Sequence, residues 1–342
     1  MKLTRRQSGI SMVEVMISLV VGLILLGGIV QIYVGSKTTY GFNNALAEIQ
    51  ENGRFALETI TQDLRLANHW GCIVPNGKTG NENNVNNTLL TWSGYDDDLH
   101  DFVGNEAITG TDGDGINGSD TITIMGSKPN QANVEVPFQP AATASVISGA
   151  VNSIEAADII LIARCGANYS SNATGTAVEA DIHRVESISN TGTGGNQRDI
   201  GLFAVKSQEF LSDAVIIELQ TVTYSIEQNS QSGGRPSLWR TEFGNDRQEL
   251  VAGAENMQIL YGIDADNDAY PNQFVTSDQV TAFADVVALR VMLLVQSSDE
   301  VLPTSEPQVY SYNGVDGIQA PDGRIRQVFS TTIALRNRIG KQ

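Results

Sequence analysis

Residues 10–34 read ISMVEVMISLVVGLILLGGIVQIYV, 25 positions with a single charge, Glu14. As a helix this run is about 37 Å long at ~1.5 Å per residue, enough to cross a hydrocarbon core of ~30 Å with some tilt. Whatever else the chain does, it must give this segment lipid or other apolar surface to lie against. Lys2, Arg5 and Arg6 precede the run and the acidic bulk of the chain follows it, which orients the N-terminus inside and everything after the run outside. A cleaved secretory signal has an apolar core of only about 7–15 residues, so this run is too long for one. A plain anchor explains the length and leaves the carboxylate unexplained, because an acid at mid-membrane costs up to ~3 kcal/mol and usually marks a function with a partner. A buried carboxylate is tolerable where a cation neutralises it.

Beyond the run the pattern turns amphipathic. Leu46, Ile49, Ala56, Leu57, Ile60, Leu64 and Ala67 recur at helical spacing, with Glu48, Glu51, Arg54, Glu58, Gln62 and Asp63 largely opposite them. The first proline is Pro75. One helix is therefore expected from about Ile10 to Ala67, its first half transmembrane and its second half packed on a head. Gly22, Gly27, Gly28, Gly35, Gly41 and Gly53 each weaken it by up to ~1 kcal/mol against Ala. They are either points where the helix softens on leaving the bilayer or sites of close helix packing within it.

The 342 residues carry 39 acidic and 21 basic side chains, net charge −18, with no basic patch after the N-terminus. That balance argues against nucleic acid as a direct ligand, since phosphates are met by clustered Lys and Arg. Cys72 and Cys165 are the two cysteines. In an exported chain they read as a bridge, worth roughly 4–5 kcal/mol before strain for a loop of about 93 residues; the alternative is two buried thiols.

From His69 the periodicity changes. Residues 75–118 are rich in Asn, Gly and Asp and read as turns and exposed loops. Strands are expected at 120–126, 157–163, 214–227, 237–242, 256–263, 284–297 and 327–335, where β-branched residues cluster between turn signals. The fold class is α+β: a long N-terminal helix on a large, antiparallel, β-rich head with long polar loops.

The short basic leader, Gly9, hydrophobic Ile10, Ser11 and Glu14 resemble the class III leader of type IV prepilins. The resemblance implies that a membrane aspartyl peptidase cuts between Gly9 and Ile10 and methylates the new amine of Ile10, and that Glu14 then pairs with the amine of a neighbouring subunit in the fibre. The family usually has Phe where this chain has Ile10. Removal of the leader would take three of the 21 basic residues with it. Further on, residues 50–72 (QENGRFALETITQDLRLANHWGC), 250–268 (LVAGAENMQILYGIDADND) and 322–338 (DGRIRQVFSTTIALRNR) look like segments of PilW-type minor pilins. The loops at 75–118 and 165–200 carry none of that likeness. The resemblance divides the chain into a leader (1–9), a transmembrane and fibre-core helix (10–34), its amphipathic continuation (35–67) and an extracytoplasmic head (68–342). It implies a minor pilin that helps initiate the fibre at or near its tip, in support of twitching motility, adhesion or DNA uptake. Its partners would be other minor pilins, the major pilin, the prepilin peptidase, the inner-membrane assembly platform and a tip adhesin. The alternatives are a minor pseudopilin of a type II secretion system and a membrane-anchored periplasmic binding module.

Among other candidate sites, DADND places Asp264, Asp266 and Asp268 at alternating positions, a spacing that suits Ca²⁺. Ala269 and Val275 stand where an EF-hand has Gly and Glu, so an acidic solvated turn is the competing reading. Asp112, Asp114 and Asp120 form a second acidic loop, read mainly as a glycine-bearing turn. No enzyme is expected: His69, His100 and His183 do not fall at metal-ligand spacing, and no nucleophile elbow, P-loop or HExxH occurs. Trp239 reads as core, and Trp92 as the better candidate for a surface aromatic beside Trp70.

Overall fold

The computed structural model describes residues 11–71, 85–94, 107–133, 143–147, 154–164, 180–191, 197–204, 210, 214–230 and 233–337. Its first element is α1, Met12–Leu66, 55 residues long and so about 83 Å from end to end. No glycine breaks it. It stops where Asn68 takes φ 58°, a left-handed turn that asparagine tolerates better than most residues. The Asn68 N–H then donates to Met125 O at 3.1 Å, delivering the chain straight into the head.

Ten strands make the larger sheet: β1 (Val85–Asn87), β2 (Ile108–Thr111), β3 (Thr121–Asn133), β4 (Thr143–Ile147), β5 (Ile159–Arg164), β6 (Ala180–Thr191), β7 (Gln197–Leu202), β8 (Ala214–Asn229), β9 (Arg235–Glu242) and β10 (Gln248–Ala252). Its path runs β10-β9-β8-β5-β6-β7-β4, with β3 on the other edge of β8 and β2 beyond β3. Every pairing is antiparallel except β1 with β6. The smaller sheet is β11 (Ala254–Ile263), β12 (Gln273–Val275), β13 (Val286–Glu300) and, after the hairpin β14 (Val309–Tyr312) and β15 (Val315–Gln319), β16 (Arg324–Ala334). Its order is β12-β11-β13-β16, antiparallel throughout.

The main core lies where both sheets meet α1. Ile49, Ala56, Ile60 and Leu64 of the helix pack with Met257, Ile259, Leu289, Val291 and Leu293 of the smaller sheet and with Val222, Tyr224 and Leu238 of the larger one. The first half of β8 belongs elsewhere. With β5, β6 and β7 it forms an outer lobe with apolar clusters on both faces. Ile159, Leu161 and Ala163 meet Trp70, Leu89 and Ile182, while Ile160 and Ile162 meet Ile200, Leu202 and Phe210. Burial on both faces is why β5 reads as an unbroken apolar run rather than an alternation.

All seven expected strands are present. The expectation of loops at 75–118 and 165–200 needs correction, because β1, a 3-10 turn at Thr88–Thr91, β2, β6 and part of β7 lie within them. β6 carries Asp181, His183, Arg184 and Glu186, residues of low strand preference that pairing with β5 and β7 overrides.

Candidate assembly site

Among the described residues nothing packs against the upper half of α1. Its large apolar side chains from Met12 to Val34 are 47–84% exposed, and no residue of its most apolar 18-residue stretch is buried. Glu14 sits in the first turn, where a carboxylate is favoured by the positive end of the helix dipole. The Ser18 hydroxyl donates to the Glu14 carbonyl at 2.7 Å, leaving the carboxylate itself exposed on the helix surface.

The lower half is locked to the head. Ala45, Ile49, Gly53, Ala56, Ile60 and Leu64 are buried, at steps of three and four that keep one stripe inward. Gly53 is not a soft point. A Cβ there would lie 2.3–2.5 Å from the Phe329 ring, so glycine is what lets β16 approach the helix. Gly22, Gly27, Gly28 and Gly35 have open space around them in the isolated chain.

Asp63, placed on the polar face by its sequence, is the polar anchor of the seat. It accepts from the Tyr224 hydroxyl at 2.5 Å and from Arg240 Nε at 2.9 Å. Arg240 also meets Glu242 at 3.3 Å, Glu242 meets Lys128 at 2.7 Å, and Lys128 meets Glu218. This chain of charges runs from the helix across β9 and β3 to the outer lobe. A signal for it was available: Asp63 stands three residues after Ile60 and four before Ala67, on the edge of the buried stripe. Below it, Asn337 Nδ2 donates to the carbonyls of Arg65 and Ala67 at 3.1 and 2.9 Å, and Ala67 bridges Gly126. Arg326, 3% exposed, ties β16 to Glu255 and Asp322, each at 2.7 Å.

Two family models match the chain. Residues 4–30 match the prokaryotic N-terminal methylation motif, and residues 223–337 match type IV pilus-assembly protein W. Over these two stretches the chain is similar to type IV pilins of the PilW kind. Among solved structures, a type IV-like pilin from Thermus thermophilus aligns at 18% identity over 36% of this chain and 70% of its own, with a TM-score of 0.22. None of the proteins with curated functions matches.

The PilW match spans the second half of β8 through β16 and just beyond, including β10, β13 and β16, which pack against α1. Of the residues singled out from the sequence, Gly9, Ile10, Cys72, Cys165 and His100 lie outside the described residues. Asp264, Asp266 and Asp268 do converge, their carboxylate oxygens within 4.8 Å of one another in the turn after β11. Asp264 is buried there, and its two oxygens accept the Asp268 and Ala269 N–H groups at 3.2 and 3.1 Å. Ala269 adopts φ 70°, so it fills the left-handed position where a calcium loop has glycine. Asp120 is likewise a cross-link: it accepts from Gly113 N–H at 2.9 Å and from Ile259 N–H at 2.7 Å, joining the 112–120 loop to β11. Burial raises its pKa to about 6, with Asp112 adding to the rise and the two N–H donors opposing it.

His69 Nδ1 meets Ser127 Oγ at 2.6 Å. His183 Nδ1 faces Thr88 Oγ1 at 3.2 Å and its Nε2 faces Asp181 at 3.5 Å. The Thr88 hydroxyl already donates to Ile182 O at 2.6 Å, and His183 and Asp181 are fully buried, so this trio braces β6 against the 3-10 turn at Thr88–Thr91. Trp70 is core, its Nε1 on Asn68 at 2.9 Å. Trp239 is not: alternation along β9 turns Leu238 inward and leaves Trp239 half-buried on the outer face under Arg247, 4.6 Å from its ring. Trp92 is half-buried with Arg184 5.0 Å above it.

Proposed function

We propose that the chain is a minor pilin that enters the growing fibre through the upper half of α1 and helps to initiate it at or near the tip. One observation carries this reading. A single helix is fixed along its lower half by a buried stripe and the Asp63 anchor, while its upper half presents apolar side chains on every face. Such a half-helix needs lipid before assembly and other apolar helices afterwards. The methylation motif over residues 4–30 supports the same order of events. Cleavage between Gly9 and Ile10 would leave an amine for methylation, and Glu14 in the first turn would pair with the amine of a neighbour. The proposed partners are other minor pilins, the major pilin, the prepilin peptidase and the inner-membrane platform, with a tip adhesin presented by the head.

In a strain blocked for pilus retraction, deletion of the gene should remove pilin from the sheared surface fraction while secreted exoproteins stay normal. Intact surface pilin with failed secretion would move the protein to the pseudopilins of type II secretion. Glu14→Ala should retain processing and membrane insertion and lose incorporation. Normal piliation in that variant would sink the pairing role.

A further inference from the structure

We infer that Glu14 and Lys37 are two charged stops that set the depth of α1 in the bilayer before assembly, with Lys37 held against lipid phosphate in the outer headgroup layer between Tyr33 and Tyr40. This deepens the pilin reading and rests on its membrane-anchored stage.

Between Glu14 and Glu48 the only charged residue of the chain is Lys37. It is exposed, and among the described residues it makes no ion pair. Tyr33 stands four residues before it and Tyr40 three after, so the three side chains share one face of the helix. The two rings are 66% and 69% exposed. Aromatic rings with a polar tip, flanking a long basic side chain at the end of an apolar run, suit the membrane–water interface, where rings sit at headgroup level and an ammonium reaches phosphate.

The head offers Lys37 no other anion. It comes close to the helix one turn further on, where a Cβ at Gly41 would lie 3.8 Å from Val301. The acids around Val301 are Asp299, Glu300 and Glu306, with Glu300 turned to Arg324 at 3.9 Å and Glu48 of the helix held by Ser298 at 2.6 Å. This rim is net acidic even with Arg324 counted, so it is repelled by headgroup phosphate and stays outside the layer that Lys37 enters.

The spacing of the marks matches the bilayer. From Glu14 to Tyr33 the helix rises about 29 Å, close to the ~30 Å of hydrocarbon, and from Glu14 to Lys37 about 35 Å, which ends among headgroups. Glu14 then rests at the inner boundary, where a carboxylate is tolerated without a partner, and Gln31 falls only about 3 Å inside the outer one. α1 stays intact across that outer boundary, and the Thr38 and Thr39 hydroxyls donate to Val34 O and Gly35 O at 3.0 Å each. Sliding inward would drag Lys37 into hydrocarbon. Sliding outward frees Lys37 into water but drags Glu14 into hydrocarbon, so extraction toward a fibre is opposed until Glu14 meets a cation.

The test uses the full chain in phosphatidylcholine nanodiscs with Leu19→Trp as a depth probe. Leu19 is exposed on α1 and about 7 Å above the inner boundary in this register. Lipids brominated near the headgroup, midway along the chain or near its end report the depth of the introduced indole, while Trp70, Trp92 and Trp239 remain in the head as a constant background. Lys37→Leu should move the indole about 3 Å toward the inner headgroups, and Glu14→Leu about 3 Å toward the midplane, two residues of rise either way. Lys37→Arg should leave it in place. In liposomes, one lysine Nζ signal should be dephased by lipid phosphorus and should vanish in Lys37→Gln. Equal depth in all variants, shifts of the same sign, Lys37→Arg behaving as Lys37→Leu, or no phosphorus contact at Lys37 would each overturn the inference and leave the pilin reading standing. Absence of quenching by every brominated lipid would overturn it together with the membrane-anchored stage.

Discussion

The core around α1 and the outer lobe differ in how they are held. The first has a helix stripe driven between two sheets, with Leu64, Ile60 and Ile49 fully buried. The second has no described α-helix: its strands bury themselves by clustering on both faces of β5, with Ile160 and Ile162 on one side and Leu161 on the other. β8 runs through both, pairing with β5 along Ala214–Leu219 and with β9 along Val222–Asn229. The PilW match begins at residue 223, where β8 passes into the α1 core. What the contrast shows is a division within one sheet: the PilW match takes in β8 from residue 223 through β16, most of the strands around α1, and the lobe carried on the first half of β8 lies outside it.

The largest effect should come from hollowing each core in turn. Leu64→Ala is expected to cost about 2–5 kcal/mol and to lower the melting temperature of the detergent-solubilised chain throughout. Ile162→Ala should cost a similar amount, with hydrogen exchange accelerated mainly in β5, β6 and β7. Equal acceleration of β13 by Ile162→Ala would show that the two regions open as one unit and would break the comparison.

A smaller effect concerns the close approach that the helix seat requires. Gly53→Ala places a methyl against the Phe329 ring, and overpacking of this kind costs about 1–3 kcal/mol, partly offset by the ~1 kcal/mol that Ala gains over Gly in a helix. A net loss of about 1 kcal/mol is expected in thermal unfolding, recovered when Phe329→Leu is added. Gly27→Ala has open space and should leave the head unaffected. If both glycine variants behave alike, Phe329 is not what demands glycine at 53.

The same contrast explains what could be read from the sequence. α1 was legible because 25 nearly uncharged residues followed by a spaced stripe admit few other structures, and β11, β13 and β16 because their β-branched runs are long. The loops of the lobe hid β6, whose polar residues make sense only beside β5 and β7. Gly53 and Asp63 looked like a weak point and a solvent-facing acid, because their partners, Phe329 and Arg240, lie far along the chain and only the fold brings them together. Glu14 was the opposite case: its chemistry was read from its neighbours in sequence, and the isolated chain adds its place in the first turn of an uncovered helix.

Asp120 gives the smallest and most specific test, because it works on the α1 side of the comparison. It holds the N–H groups of Gly113 and Ile259 together, yet burial raises its pKa from 3.8 to about 6. A carboxyl whose pKa is higher folded than unfolded binds more protons in the native state between those two values. Its favourable contribution is therefore complete below the unfolded pKa and is lost as pH rises through about 6. The effect should be on the order of 1 kcal/mol, reduced by solvent screening at the loop. Asp120→Asn removes the titration but offers one acceptor where two N–H donors need one each, so the variant should be less stable throughout and should lack this slope. The quantity to measure is the difference in melting temperature between parent and variant from pH 4 to pH 7. It should shrink as pH rises through that window, since the parent alone loses proton-linked stability there. A constant difference would mean that Asp120 stays ionised across the range, and that its two backbone hydrogen bonds outweigh its burial.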